Sequence, residues 1–285
     1  MKQKTGRILI FLLALFLTMQ APLNVSAAKK AKKTKAAIRM ERLEKQIKSY
    51  IKKSCPISAN GKASSTAWSV YVKDLKTGKS FTINKNAFFS ASTIKLFAMA
   101  TVYDQAKKGK LALTSSLESQ IRSMITVSSN DAFNYLVYER LGKNAVNKFC
   151  KANGFKKTQQ YTRCGNGGSA EAAGLNKANM TSAADCGKLL EKIYRGKLVS
   201  KTASKKMLTY LKAQTFRSKI PQGVPYGIQT ANKTGESDSI ENDTAIVYGK
   251  KTNYILCVFS NTNNPAQARG CIQQISRMVY KALNP

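Results

Sequence analysis

Strand-forming segments lie only towards the two ends of this chain, and residues 115 to 212 read as helix throughout. Near the front, WSVYVKDLKTGKSFTINKN (68–86) alternates around Lys76-Thr77-Gly78-Lys79, the pattern of a β-hairpin. Near the back, GIQTANKTG (227–235), DTAIVYGK (243–250) and NYILCVFSN (253–261) read as three more strands. Strand edges left unpaired would strand backbone donors and acceptors. The simplest packing therefore draws both groups into one antiparallel sheet. Ile38, Met40, Leu43, Ile47 and Ile51 recur at helical spacing before Cys55-Pro56, and a last helix is expected over about 266–283. These terminal helices would cover the sheet. ESQIRSMITV, DAFNYLVYERLG, NAVNKFCKANG, SAADCGKLLEKIYRG and SKKMLTYLKAQ would form an inserted all-helical lobe, several of them stopped by glycine. The expected class is α+β, one domain over 38–285, with an α/β part at about 38–108 and 213–285 and a helical lobe at about 109–212. A cleft between the two parts is the default place for a site.

The N-terminus carries an address. Lys2, Lys4 and Arg7 precede the apolar run ILIFLLALFL, and Val25-Ser26-Ala27 has the small residues of a cleavage site, so residues 1–27 read as a secretory signal peptide. An uncleaved membrane anchor is the alternative. Residues 28–37 form a Lys/Ala-rich tether. The sequence holds 48 Lys plus Arg against 14 Asp plus Glu, a net charge of +34, and only ten of the 48 are Arg. Diffuse lysine suits a non-specific anionic surface such as cell-wall polymers better than base-specific contact with nucleic acid. There is no histidine. Ser-His-Asp and Cys-His catalysis and His-ligated metal sites are excluded, leaving Lys, Asp, Glu, Tyr or Cys for proton transfer. The six cysteines (55, 150, 164, 186, 257 and 271) are even in number, as a disulfide framework in an exported chain would require, or are buried free thiols. Cys150 with Cys164 is the candidate local bridge. No metal or organic cofactor is expected, and a monomer is.

Three short motifs carry chemistry. Ser-x-x-Lys occurs at Ser26, Ser49 and Ser92, and Lys-Thr-Gly at Lys4, Lys76 and Lys233. Only Ser92-Thr93-Ile94-Lys95, opening an apolar helix, and Lys233-Thr234-Gly235, ending a strand, stand in a setting that chemistry could use. Between them lies Ser128-Ser129-Asn130, at a polar joint between helices. Three and four residues apart on a helix is one face, so Ser92 and Lys95 can meet. Each motif alone has an ordinary structural reading, as a helix-end serine, a cap or a strand residue.

Taken together, in this order, the motifs resemble those of the penicillin-recognising serine hydrolases, most closely the class A β-lactamase family. The resemblance spans roughly residues 38–283 and includes ITVSSNDAFNYLVYERLG and the strands after ANKTG. It implies that Ser92 is the nucleophile, Lys95 its base and Ser128 a proton shuttle to the leaving nitrogen. Asn130, Lys233 and Thr234 would hold the substrate, and the N–H groups of Ser92 and Glu236, beside Gly235, would form the oxyanion hole. The sequence departs from the family in three places. Ser129 replaces the family's Asp, with Asp131 nearby as a partial substitute. Only 33 positions separate Lys95 from Ser128, which implies a more open cleft. The family's Glu-x-x-Leu-Asn loop is matched only by Glu171-Ala-Ala-Gly-Leu175-Asn176, one residue longer, leaving Glu171 or Glu236 as candidates for activating water. The expectation is a secreted serine hydrolase acylated by β-lactams or peptidoglycan-like amides, with slow turnover. The alternatives are a D,D-peptidase or amidase on the same fold and a basic wall-binding protein.

Overall fold

The early hairpin, β1 (Trp68–Asp74) and β2 (Ser80–Ile83), does pair across the chain with the last strand. In the computed structural model, which describes residues 33–175 and 177–285, β3 (Phe88–Phe89) and β4 (Met180–Thr181) make a separate ribbon. The late strands are β5 (Thr230–Ser237), β6 (Ile240–Tyr248) and β7 (Asn253–Asn261). The main sheet runs β2-β1-β7-β6-β5 and is antiparallel at every pairing, with Trp68 opposite Ser260 and Asp74 opposite Tyr254. The fold is therefore α+β, as the segregation of strands implies.

Both faces of this sheet are covered, which is why β7 is apolar at consecutive positions. Tyr254, Leu256 and Val258 join Trp68, Val70 and Val72 in one core. Its other wall is α1 (Lys35–Ser54), through Met40, Leu43, Ile47 and Ile51, and the C-terminal helix, through Ile272, Ile275 and Val279. Ile255, Cys257 and Phe259 point the other way, into the core of the helical lobe. After α1 and the short α2 (Ser64–Ala67), the lobe is built by α3 (Lys95–Lys107), α4 (Ser115–Thr126), α5 (Asn130–Asn134) and α6 (Ala145–Ala152). It continues through α7 (Asn166–Leu175), α8 (Ala183–Tyr194) and α9 (Lys201–Lys212), and α10 (Pro265–Leu283) closes the chain. α3 is buried along both sides, from Lys95 to Tyr103, because it runs through the middle of the lobe.

Three details depart from the sequence reading. Helix α1 starts inside the expected tether, because the Thr34 hydroxyl accepts the Ala37 N–H (3.2 Å) and caps it. The β3–β4 ribbon interrupts the helical lobe, and strands of two residues are too short to show a period of two. All six cysteines are free, and the Cys150–Cys164 bridge does not form. The expected signal peptide, residues 1–27, lies outside the described residues. Among those described, no helix is long and apolar enough to cross a membrane.

The Lys76 copy of Lys-Thr-Gly is the β1–β2 turn. Gly78 has φ +72°, and the fully buried Asp74 carboxylate accepts from the Lys76 N–H (3.0 Å), Thr77 N–H (3.3 Å), Thr77 Oγ1 (2.9 Å) and Thr252 Oγ1 (2.8 Å). Arg39 adds an ion pair at 3.0 Å. Burial raises the Asp74 pKa, but these hydrogen bonds outweigh it and hold the carboxyl below its ordinary 3.8. Its contribution to stability is thus complete above that value and is lost as pH falls through the lower folded value. Replacing Asp74 with Ala should lower stability by about 3 kcal/mol, read by urea unfolding at pH 7. Below pH 3 the gap between wild type and variant should shrink.

Candidate active site

The turn that carries Ser92 is pinned from two sides. Ser92 lies in a single 3₁₀ turn, Ala91–Ile94, that runs directly into α3. The Asn242 side chain, from β6, donates to the carbonyls of Phe89 (3.0 Å) and Ser90 (3.3 Å). The Asn179 carbonyl accepts the Ser90 N–H (2.8 Å) and Ser90 Oγ (2.9 Å). Ala91 is held at φ +43°, a left-handed backbone that costs a non-glycine residue roughly 1–2 kcal/mol. Such strain persists only where surrounding contacts over-determine it.

Lys95, the first residue of α3, is fully buried. Its Nζ lies 2.6 Å from the Ser128 carbonyl, 2.7 Å from Asn130 Oδ1, 3.0 Å from Ser92 Oγ and 3.3 Å from Ser128 Oγ. The carbonyl and the amide oxygen can only accept, so they take two N–H groups. On a neutral amine what remains is the lone pair, and the Ser92 and Ser128 hydroxyls lie within hydrogen-bond distance of the nitrogen that carries it. Burial lowers the Lys95 pKa to about 8, with Cys164 acting the other way. Ser128 makes this geometry with a left-handed backbone (φ +57°) in the joint between α4 and α5. Its Oγ also accepts from Lys233 Nζ at 2.8 Å. Lys233, completely buried in β5, bonds the Thr234 carbonyl as well (2.9 Å). Burial, then Lys95, push its pKa well down, Asp243 opposes and Lys219 adds to the depression.

Glycine is required at 235. A Cβ there would come within 2.8 Å of the Ser90 carbonyl and 3.1 Å of the Ser92 nitrogen. Strand β5 thus runs hard against the Ser92 turn, at the sheet edge. A cleft of about 420 Å³ opens here, lined by Ser92, Asn130, Cys164, Gly165 and Glu236 among others. Larger cavities of about 610 Å³ exist, but none of the motif residues lines them.

Fully buried residues Lys95 and Lys233 therefore meet Ser92, Ser128 and Asn130 around one point, with Thr234, Gly235 and Glu236 on the adjoining strand. The candidates for water activation fare differently. Glu236 is half exposed and pairs with Lys219 at 2.8 Å. The Glu171 side chain lies outside the described residues. Ser129 caps α5, its Oγ accepting the Ala132 N–H (3.1 Å), and Asp131 is exposed in the first turn of that helix.

Several positioning residues carried no signal in the sequence. Lys219 is completely buried, held by Glu241 (2.6 Å), Glu236 and the Asn242 carbonyl (3.1 Å). Asn134 grips the backbone of Cys164 from both sides: its Nδ2 donates to the carbonyl (3.1 Å), and its Oδ1 accepts the N–H (2.9 Å). Asn179 Oδ1 accepts the N–H groups of Tyr161 (2.7 Å) and Thr162 (2.9 Å). Lone asparagines in polar stretches have no pattern to betray them.

The α+β frame gathers two partly buried serines about two fully buried lysines, as a β-lactamase-type serine hydrolase would require. The model of the beta-lactamase enzyme family matches residues 42–120 and 114–283, and the chain belongs to that family. No curated protein sequence matches it. Among solved structures, a β-lactamase from Chitinophaga pinensis has 22% identity and a TM-score of 0.74, covering 85% of this chain and all (100%) of that one. The TLA-1 extended-spectrum β-lactamase has 18% identity and a TM-score of 0.75, over 86% of this chain and 99% of that one. A PBP-A variant, solved as an acyl-enzyme complex with penicillin G, has 21% identity and a TM-score of 0.71, over 85% and 96%. At these identities the likeness is one of fold.

Gly235→Ala should keep the fold but lower the rate of any acylation at Ser92 by about 100-fold, since misplacement of reacting groups by an ångström has that effect. Active-site labelling with fluorescent penicillin beside a circular-dichroism spectrum would measure both.

Proposed function

We propose that this protein is an exported serine hydrolase that β-lactams, or peptidoglycan-like amides, acylate at Ser92, and that it releases the acyl group slowly. The observation that carries this reading is the coordination of Lys95 Nζ, whose N–H groups are claimed by two obligate acceptors while Ser92 Oγ stands 3.0 Å away. In the proposed step the Ser92 hydroxyl proton passes to Lys95 as Oγ bonds to the carbonyl carbon. The C–N bond then breaks, and the nitrogen takes a proton from Ser128 Oγ, which is resupplied by its lysine neighbours. The N–H groups of Ser92 and Glu236 would stabilise the oxyanion. Lys233 and Thr234 would receive a substrate carboxylate and Asn130 a side-chain amide.

The ion pair of Glu236 with Lys219, which occupies one of the two candidate bases, supports slow release. The net charge of +34 supports retention by anionic wall polymers, and the leader pattern supports export. Salt should release the protein from isolated walls steeply.

Mixing the protein with excess penicillin G and following intact mass tests the reading. Wild type should gain one penicillin mass that persists, and Ser92→Ala should gain none; an unmodified wild type would refute acylation. The proton must leave Ser92 for a neutral amine. The acylation rate should therefore climb about tenfold per pH unit below about 8 and level off above it, as the Lys95 ammonium is lost. Lys95→Ala should lower that rate by about 100-fold or more.

A further inference from the structure

The two helices that share one face of the sheet bring a pair of cysteines together. Cys55 stands just past the last turn of α1, and Cys271 lies near the start of α10. Both belong to the core that these helices form with the sheet. The Cys271 thiol donates to the carbonyl of Ser54 (3.6 Å), the residue before Cys55, and its sulfur accepts from the Tyr50 hydroxyl (3.7 Å). Gln267, one turn earlier on the same face of α10, donates to the Ser54 carbonyl as well (3.2 Å). The two thiols themselves share a hydrogen bond. The other four are disposed differently. Cys186 bonds Thr181 (3.6 Å), Cys150 and Cys257 are buried in the same helical core, and Cys164 lines the cleft. The Cys55–Cys271 pair is buried but borders solvent. Ser54, Gln267 and Gly270 are exposed, and nothing lies within 4 Å of where a Gly270 side chain would begin.

We propose that Cys55 and Cys271 are a disulfide site that locks α1 to α10 when the protein meets an oxidising disulfide. An S–S bond, at about 2.0 Å, is shorter than a thiol hydrogen bond, so the sulfurs must close on each other. Cys55 can make that approach because it lies beyond the helix, with extended backbone (φ −95°, ψ 148°). Hydrogen bonds from Cys55 and Tyr50 hold the Cys271 thiol below its ordinary 9.0 against the effect of burial. Cys271 is therefore the attacking sulfur. Its thiolate bonds to one sulfur of the oxidant, whose S–S bond breaks and releases a first thiol. The Cys55 thiol then gives up its proton, its sulfur bonds to Cys271, and the other half of the oxidant leaves as a second thiol. Two protein thiols are oxidised to one disulfide, and one small disulfide is reduced to two thiols. The bond closes a loop from 55 to 271, and its constraint on the unfolded chain grows with loop length. It lies on the sheet face away from the helical lobe, so it steadies the frame behind Ser92 without entering the cleft.

Oxidised glutathione is the probe. The reduced full protein is incubated with it, remaining thiols are blocked with N-ethylmaleimide, and peptides are mapped without reductant. A peptide pair joining Cys55 to Cys271 should accumulate ahead of any other. A chain that stays reduced, that carries glutathione on both cysteines unlinked, or that links another pair first would overturn the proposal. This readout depends on no variant. Cys55→Ser should stop at a glutathione adduct on Cys271, and Cys271→Ser should take up glutathione at Cys55 about tenfold more slowly than that. Equal rates would refute the order of attack. The oxidised protein should melt about 5 °C or more above the same protein kept in dithiothreitol. Equal midpoints in the presence of the bond would show that it does not lock the helices.

Discussion

Three lysine side chains, Lys95, Lys219 and Lys233, are fully withdrawn from water in one region of the molecule. Burying an ammonium costs several kcal/mol unless it is paired, hydrogen-bonded or neutral. The protein answers each differently. Lys219 is paired with Glu236 and Glu241. Lys95 and Lys233 have few counter-charges and are driven towards neutrality by burial, Lys233 also by its cationic neighbours. Asp243, itself fully buried, balances the group from β6. Burial pushes its carboxyl up to about 6, opposed by Lys219 and by the N–H groups of Ile220 and Thr244 and the Asn232 amide. In a chain without histidine, this desolvated cluster brings a lysine pKa down to about 8.

Such a cluster needs a rigid frame, and the frame comes from antiparallel pairing of distant segments. Strand β5 carries Lys233 and lies against the Ser92 turn, while β6 supplies Asn242 to the carbonyls that lead into it. The left-handed residues Ala91 and Ser128 sit on either side of Lys95 in the sequence, and Ser128 meets its Nζ in space. Three asparagines, at 134, 179 and 242, act as cross-links between backbones. Each uses an amide that can both donate and accept, which suits it to hold a loop that has no sheet or helix of its own.

Much of the frame was legible. The 3.6-residue period marked α1 and α10, and the apolar run of β7 marked a strand covered on both faces. The motif copies were separable for physical reasons: Ser49 is exposed on α1, and the Lys76 copy is a turn with Gly78 in the left-handed region. The β3–β4 ribbon was not legible, nor was Lys219, which in sequence is one lysine among many. Glu236 read as a candidate base because sequence gives its distance from Lys233 along the chain and not its ion-pair partner in space, Lys219.

The sequence by itself determined the class of fold, since strands confined to the two ends pack most simply as one antiparallel sheet, and it restricted proton transfer to Lys, Asp, Glu, Tyr or Cys, since there is no histidine. Tertiary structure alone decided how far the site lysines are desolvated and which residues adjoin Ser92. Desolvation, hydrogen-bond partners and electrostatic coupling depend on distances through space, and residues 92, 128, 164 and 233 are brought within reach of one another by packing and by no local pattern.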